Sequence, residues 1–133
     1  MTPSHRVVAA DTGMIRIYMK PGERGGAGKG RWFSGSKPLY RELVAQAKAE
    51  GLMNAVAHQS HHGYSNHGPI QDDGAESLNP ELTMCVELIG TREQLEGFCS
   101  RHGAQLANKV IVYKHLEHWS VSQVGVGAAG RAA

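Results

Sequence analysis

The chain has 133 residues, of which 41% are hydrophobic and 20% charged, and its formal net charge is +2. That much apolar side chain offsets the entropy of ordering one domain, which excludes wholesale disorder, and the length leaves no room for a second ordinary domain. Basic and acidic residues are spread over most segments, which excludes the dense Lys/Arg stripe of a nucleic-acid surface and limits any bound anion to a small one.

Residues 1–13 lack periodicity and read as an N-terminal extension. Met14-Ile15-Arg16-Ile17-Tyr18-Met19-Lys20 is rich in β-branched and aromatic residues and stops at Pro21-Gly22, the pattern of a first strand closed by a turn. Between Pro21 and Gly35 six glycines are interspersed with basic residues, and Ser36-Lys37-Pro38 then supplies a capping hydroxyl and an early proline. Leu39, Leu43, Val44 and Ala47 recur at helical spacing, which predicts a helix from about 37 to 50 with Gly51 at its C-terminal end. Met53 to His58 are small or β-branched and uncapped, and predict a second strand.

Residues 59–80 are rich in Gly, Asn, Asp, Ser and Pro, with Ile70 and Leu78 as the aliphatic anchors. So long a connection inside a small domain predicts a mobile loop with a function. Leu82, Met84, Val86 and Leu88 alternate with Thr83, Cys85, Glu87 and Ile89, the clearest strand pattern in the chain. Thr91-Arg92-Glu93-Gln94 matches a capping box, and Leu95, Phe98 and Cys99 form the buried stripe of a second helix ending near Gly103. Val110-Ile111-Val112-Tyr113 opens a fourth strand running to about Val121, and residues 122–133 read as a flexible tail.

Strand, helix, strand, strand, helix, strand is the split βαβ order. Right-handed crossovers then place both helices on one face of a four-stranded antiparallel sheet. The predicted fold is an α+β ferredoxin-like βαββαβ sandwich over residues 14–121. The other sheet face is uncovered, and strands 1 and 3 carry apolar or semi-apolar residues on both sides, which predicts oligomerisation. Cys85 and Cys99 lie in apolar settings outside any CxxC or Cys/His zinc spacing and read as buried free thiols. No run of about 18 apolar residues exists, and the polar start Met1-Thr2-Pro3-Ser4-His5-Arg6 is no secretory leader, so the reading is a cytoplasmic protein without membrane insertion.

Four short segments carry a family likeness: Met19-Lys20-Pro21, Gly63-Tyr64, Glu87-Leu88-Ile89 and Asn108-Lys109-Val110. In order and spacing they resemble the PII signalling proteins and their PII-like relatives from about Met14 to Val121. The resemblance implies a non-enzymatic homotrimer that binds an adenine nucleotide between subunits. Residues 59–80 would be its T-loop, and the turn from Gly103 to Lys109 the B-loop that wraps the phosphates. Lys109 would be the phosphate cation, Glu87 and Ile89 would frame the adenine, and the implied nucleotide set is His58, Gly63, Tyr64, Glu87, Ile89, Gly103, Asn108, Lys109 and Lys114. Taken without the resemblance, Lys109 is a solvated lysine before a strand, Ile89 is core, and Glu87 faces solvent on a half-buried strand.

The chain departs from PII proteins where they carry two arginines after strand 4 to grip the outer phosphates. Here Ser120 and Ser122 stand, with Lys114, His115 and His118 nearby, so the expected ligand is ADP or AMP rather than ATP. The modification tyrosine near the loop tip is also absent. The segment Gly25-Gly26-Ala27-Gly28-Lys29-Gly30 before Ser36-Lys37-Pro38-Leu39-Tyr40, with the His-rich loop, resembles more closely the PII-like branch associated with carboxysomes. That implies bicarbonate as a second ligand, at Gln59, Ser60 and His61. The implied partner is a protein target: a transporter, an enzyme or a carboxysome component.

Other readings of the same residues are weaker. GxxxxGK[ST] fails because Glu23 stands at the first glycine and Gly30 at the hydroxyl, which removes a P-loop hydrolase. Acylphosphatase spacing is not recognisable, and the paired exposed aromatics of an RNA recognition motif are missing. His58, His61, His62 and His67, with His115 and His118, leave a His-rich metal-binding protein as the alternative.

Overall fold

Strand β5 (Met84–Gly90) buries every second residue, Met84, Val86, Leu88 and Gly90, and leaves Cys85, Glu87 and Ile89 half-buried on its other side. That period of two divides the molecule into a core side and an open side. The computed structural model describes residues 4–20, 23, 37–72 and 82–124. Its order is β1 (His5–Met19), α1 (Leu39–Ala49), β2 (Asn54–Gln59), β3 (His62–Gly63), β4 (Gln71–Asp72), β5, α2 (Arg92–Arg101), α3 (Gly103–Leu106) and β6 (Val110–Gln123). The main sheet runs β2-β5-β1-β6, antiparallel throughout. Ile15, Ile17 and Met19 of β1 share one core with Leu39, Leu43 and Ala47 of α1 and with Leu95 and Phe98 of α2. Both helices therefore cover the same face, and the α+β ferredoxin-like arrangement expected from the element order is present.

Each fully buried Leu or Phe contributes about 1.5–3 kcal/mol relative to exposure, so this single cluster supplies most of the driving force for folding. Local signals act with it. The Thr91 hydroxyl accepts from the Gln94 N–H at 3.1 Å while the Gln94 side chain accepts from the Thr91 N–H at 2.9 Å, the capping box read in the sequence. Helix α1 ends as Gly51 turns to φ +83°, which glycine adopts without steric cost. Its start differs from expectation. Pro38 is the N-cap and makes no side-chain cap bond; the Glu23 carbonyl accepts from the Leu39 N–H at 2.7 Å. Ser36, the expected cap, lies outside the described residues, as do Gly25 to Gly30 and Leu78.

Strand lengths are the main correction. β1 begins at His5 rather than at residue 14, and β6 continues to Gln123, so residues 5–13 belong to a long ribbon instead of an extension. Along it Val7 pairs with Val121, Ala9 with Trp119 and Asp11 with Glu117. The ribbon outruns the helices, so both of its faces meet solvent and the apolar alternation that marks β5 does not develop. Val7, Val8, Trp119 and Val121 are all exposed, Trp119 at 62%. Residues 125–133 of the expected tail lie outside the described residues. Two smaller corrections concern loops: residues 103–106 form helical α3 rather than an open turn, and the 59–80 connection contains the short β3/β4 pair. Residues 73–80 of that connection lie outside the described residues. Among the described residues no helix is long and apolar enough to cross a membrane.

Candidate functional site

After α3 the chain reverses at Asn108, which takes φ +68°, a left-handed conformation that Asn tolerates better than most residues. The Lys109 N–H bonds the Leu106 carbonyl at 3.1 Å, and the reversal aims the Lys109 side chain beneath the end of β1. There its ammonium meets Glu23, Nζ to Oε2 at 2.8 Å, with 17% of the lysine side chain and 34% of the glutamate exposed. The other Glu23 oxygen, Oε1, accepts from the Lys20 backbone N–H at 3.0 Å. Burial works to raise the Glu23 carboxyl, but the hydrogen bonds from Lys109 and from the Lys20 backbone outweigh it and hold the group below the usual carboxylate range.

The opposite wall comes from the segment between β3 and β4. The Gly68 N–H bonds the Ser65 carbonyl at 3.0 Å, with φ +52° at Asn66 and +60° at His67, the double left-handed conformation of a type I′ turn. The Asn66 amide donates to the Asn108 carbonyl at 3.3 Å and so ties this wall to the first. Between them is a cleft of about 500 Å³, whose polar lining includes Tyr18, Lys20, Glu23, Gln71, Asn108 and Lys109.

Of the residues expected from sequence, the cleft takes in Asn108 and Lys109. Gly63 and Tyr64 precede its wall, Gly63 at φ +152° and Tyr64 exposed. Gly103 is exposed at the start of α3. Glu87, Ile89, His58 and Lys114 lie on the open sheet face instead, in rows fixed by the strand register: Val56, Glu87, Arg16 and Val112; His58, Cys85, Tyr18 and Val110; Asn54, Ile89, Met14 and Lys114. The Arg16 Nε donates to Glu87 Oε2 at 2.9 Å. Tyr18 joins the two regions, since it stands on the open face and lines the cleft. Ser120 and Ser122 pair with Val8 and Arg6 within the ribbon, and Ser120 lies ten residues beyond Val110, roughly 33 Å along an extended strand. They are not near Lys109 of the same protomer.

Ser60 gives both its hydroxyl and its N–H to the Thr83 carbonyl, at 2.7 and 3.0 Å, so both of its donors are engaged in this conformation. Three histidines pair with carboxylates at separate places among the described residues, His62 with Asp72 at 3.5 Å, His115 with Asp11 at 3.6 Å and His102 with Glu50 at 2.6 Å. Among the described residues no three His, Cys, Asp or Glu side chains gather to hold a metal. Both cysteines are free and half-buried, and burial pushes each thiol up. Sequence reading missed Glu23, Tyr18, Asn66 and Gln71; the one available signal was a carboxylate set among glycines and basic residues at position 23.

A family model, DUF190, described as "Uncharacterized ACR, COG1993", matches residues 14–118, most of the chain. The chain belongs to the DUF190 family. DUF190 is the PII-like family, and its match covers the sheet and helices, Lys109 included, while stopping short of the end of the β1/β6 ribbon. Among solved structures, CPII from Thiomonas intermedia K12, bound to ADP and bicarbonate, is similar with a TM-score of 0.50 and 11% identity over 84% of this chain and 91% of that chain. A PII-like signalling protein from Thermus thermophilus is similar with a TM-score of 0.49 and 14% identity over 84% and 91% of the two chains. The first likeness supports a shared fold between this DUF190 chain and CPII. No curated protein matches the chain in sequence.

Proposed function

We propose that this PII-like chain is a regulatory sensor that holds an adenine nucleotide in clefts between the subunits of a homotrimer. The phosphates would lie at Lys109 and the adenine against Glu87 and Ile89 across the seam. The observation that carries the reading is Lys109 itself: an ammonium held largely out of solvent at the rim of a 500 Å³ cleft, with amide-bearing Asn66 and Asn108 beside it. That ammonium already holds one oxyanion, the Glu23 carboxylate at 2.8 Å; a phosphate offers it the same kind of acceptor with three oxygens, and the volume is that of a small-molecule site. The open sheet face supports the seam, because Val56 and Val112 lie exposed beside half-buried Ile89 and the Arg16–Glu87 pair.

CPII binds ADP and bicarbonate, which supports the same ligand class here. A cleft with few cations supports ADP or AMP over ATP. For bicarbonate at Gln59, Ser60 and His61, Ser60 must first release Thr83. The role is signalling rather than catalysis: ligand reorganises the wall at residues 65–71 and alters the surface offered to a transporter, an enzyme or a carboxysome component in the cytoplasm. Calorimetry with AMP, ADP, ATP and cyclic AMP, each with and without bicarbonate, tests this. ADP or AMP binding more tightly than ATP is expected; a strong ATP preference refutes the ligand order, and absence of binding by all four refutes the sensor.

A further inference from the structure

We propose that Glu23 sets how much phosphate charge the cleft accepts, its carboxylate standing on Lys109 as an internal competitor of the ligand's phosphate. The proposal rests on the nucleotide reading above. Its basis is that Glu23 is already bound as an oxyanion would be: Oε2 takes the Lys109 ammonium at 2.8 Å and Oε1 takes the Lys20 backbone N–H at 3.0 Å. An ammonium and a backbone N–H are the donors with which proteins hold phosphate oxygens. Among the described lining residues the charged ones are Lys20, Glu23 and Lys109. Glu23 thus offsets the charge of Lys109, and a phosphate entering the cleft must displace it from Lys109 or share the cation with it.

The backbone at position 23 is anchored independently of the carboxylate. The Glu23 carbonyl accepts from the Leu39 N–H at 2.7 Å, and the Glu23 N–H donates to the Lys20 carbonyl at 3.1 Å. Displacement therefore requires rotation of one side chain rather than release of the chain from the start of α1. Because the opposition is between like charges, its cost grows with each ionised oxygen brought to the site. Adenosine is indifferent to Glu23, AMP is opposed, and ADP and ATP are opposed progressively more.

Glu23→Gln keeps the size of the side chain and an oxygen for the Lys20 N–H while removing the charge; Glu23→Asp keeps the charge. Calorimetry on the full chain compares both with wild type for adenosine, AMP, ADP and ATP, and thermal melts confirm that the variants fold. E23Q is expected to tighten AMP about tenfold, ADP by more and ATP by most, with adenosine unchanged and E23D close to wild type. Should E23Q fold poorly, Glu23→Ala removes the same charge and must give the same order. Equal or weaker nucleotide binding by the neutral variants, or an equal gain for adenosine, overturns the role of Glu23 and leaves the site standing. Failure of every protein to bind any phosphorylated nucleotide overturns both.

Discussion

Arg16 of β1 and Glu87 of β5 stand directly opposite one another on the open sheet face, Nε to Oε2 at 2.9 Å, with 19% of the glutamate side chain exposed. Cross-strand pairs of opposite charge support the register they sit in, and a half-buried carboxylate stripped of its cation is worse than no carboxylate. Arg16→Met is therefore expected to lower the urea midpoint more than the double change R16M/E87L does. Strictly additive losses in the double-mutant cycle contradict a coupled pair.

Phe98 is fully buried between the sheet and its own helix, with its ring centroid 4.5 Å from that of His102. Phe98→Ala leaves a cavity that the surrounding strands fill incompletely, at a cost of about 3–5 kcal/mol in chemical denaturation. A loss below about 1 kcal/mol means that the packing of α2 on the sheet is wrong.

The reciprocal bonds of Thr91 and Gln94 predict that Thr91→Ala costs about 1 kcal/mol while Thr91→Ser costs little. Urea midpoints of the two variants check this, and equal losses indicate that the hydroxyl is not the capping group.

These cases also show what local sequence can carry. The capping box spans four residues and the β5 alternation seven, and each is governed by neighbours in the chain, so both were legible. Residues 5–13 were not, because their partners are residues 115–123 and, from His5 to Asp11, both ribbon faces meet solvent. Gly13 compounds the difficulty. In sequence it resembles a break, yet in the strand it makes room for Tyr113, whose ring atoms would lie 2.7 Å from a β-carbon there. Within the site, Asn108 and Lys109 were readable from a short motif. Glu23, 86 positions from Lys109, became visible only once β1 and β6 lay side by side.

Glu50, at the end of α1, receives the Arg101 guanidinium at 2.6 and 3.1 Å and the His102 ring at 2.6 Å. The hydrogen bond from Arg101, chiefly, holds its carboxyl below the ordinary range against a smaller opposing effect of burial. A carboxyl depressed in the folded state adds stability above its unfolded value of about 4.3, and that stability disappears as pH falls through the folded value. Urea midpoints followed downward from neutral pH are expected to fall less steeply in acid for Glu50→Gln than for wild type. Parallel curves contradict the assignment.

The most direct test of the proposed site is a crystal structure of the full chain grown with ADP. The account predicts a trimer with the phosphates on the Lys109 ammonium, the Glu23 carboxylate moved off it, and the adenine at a seam with Glu87 and Ile89. ADP bound elsewhere, or a monomer whose cleft keeps the Glu23–Lys109 pair closed at saturating ADP, contradicts it.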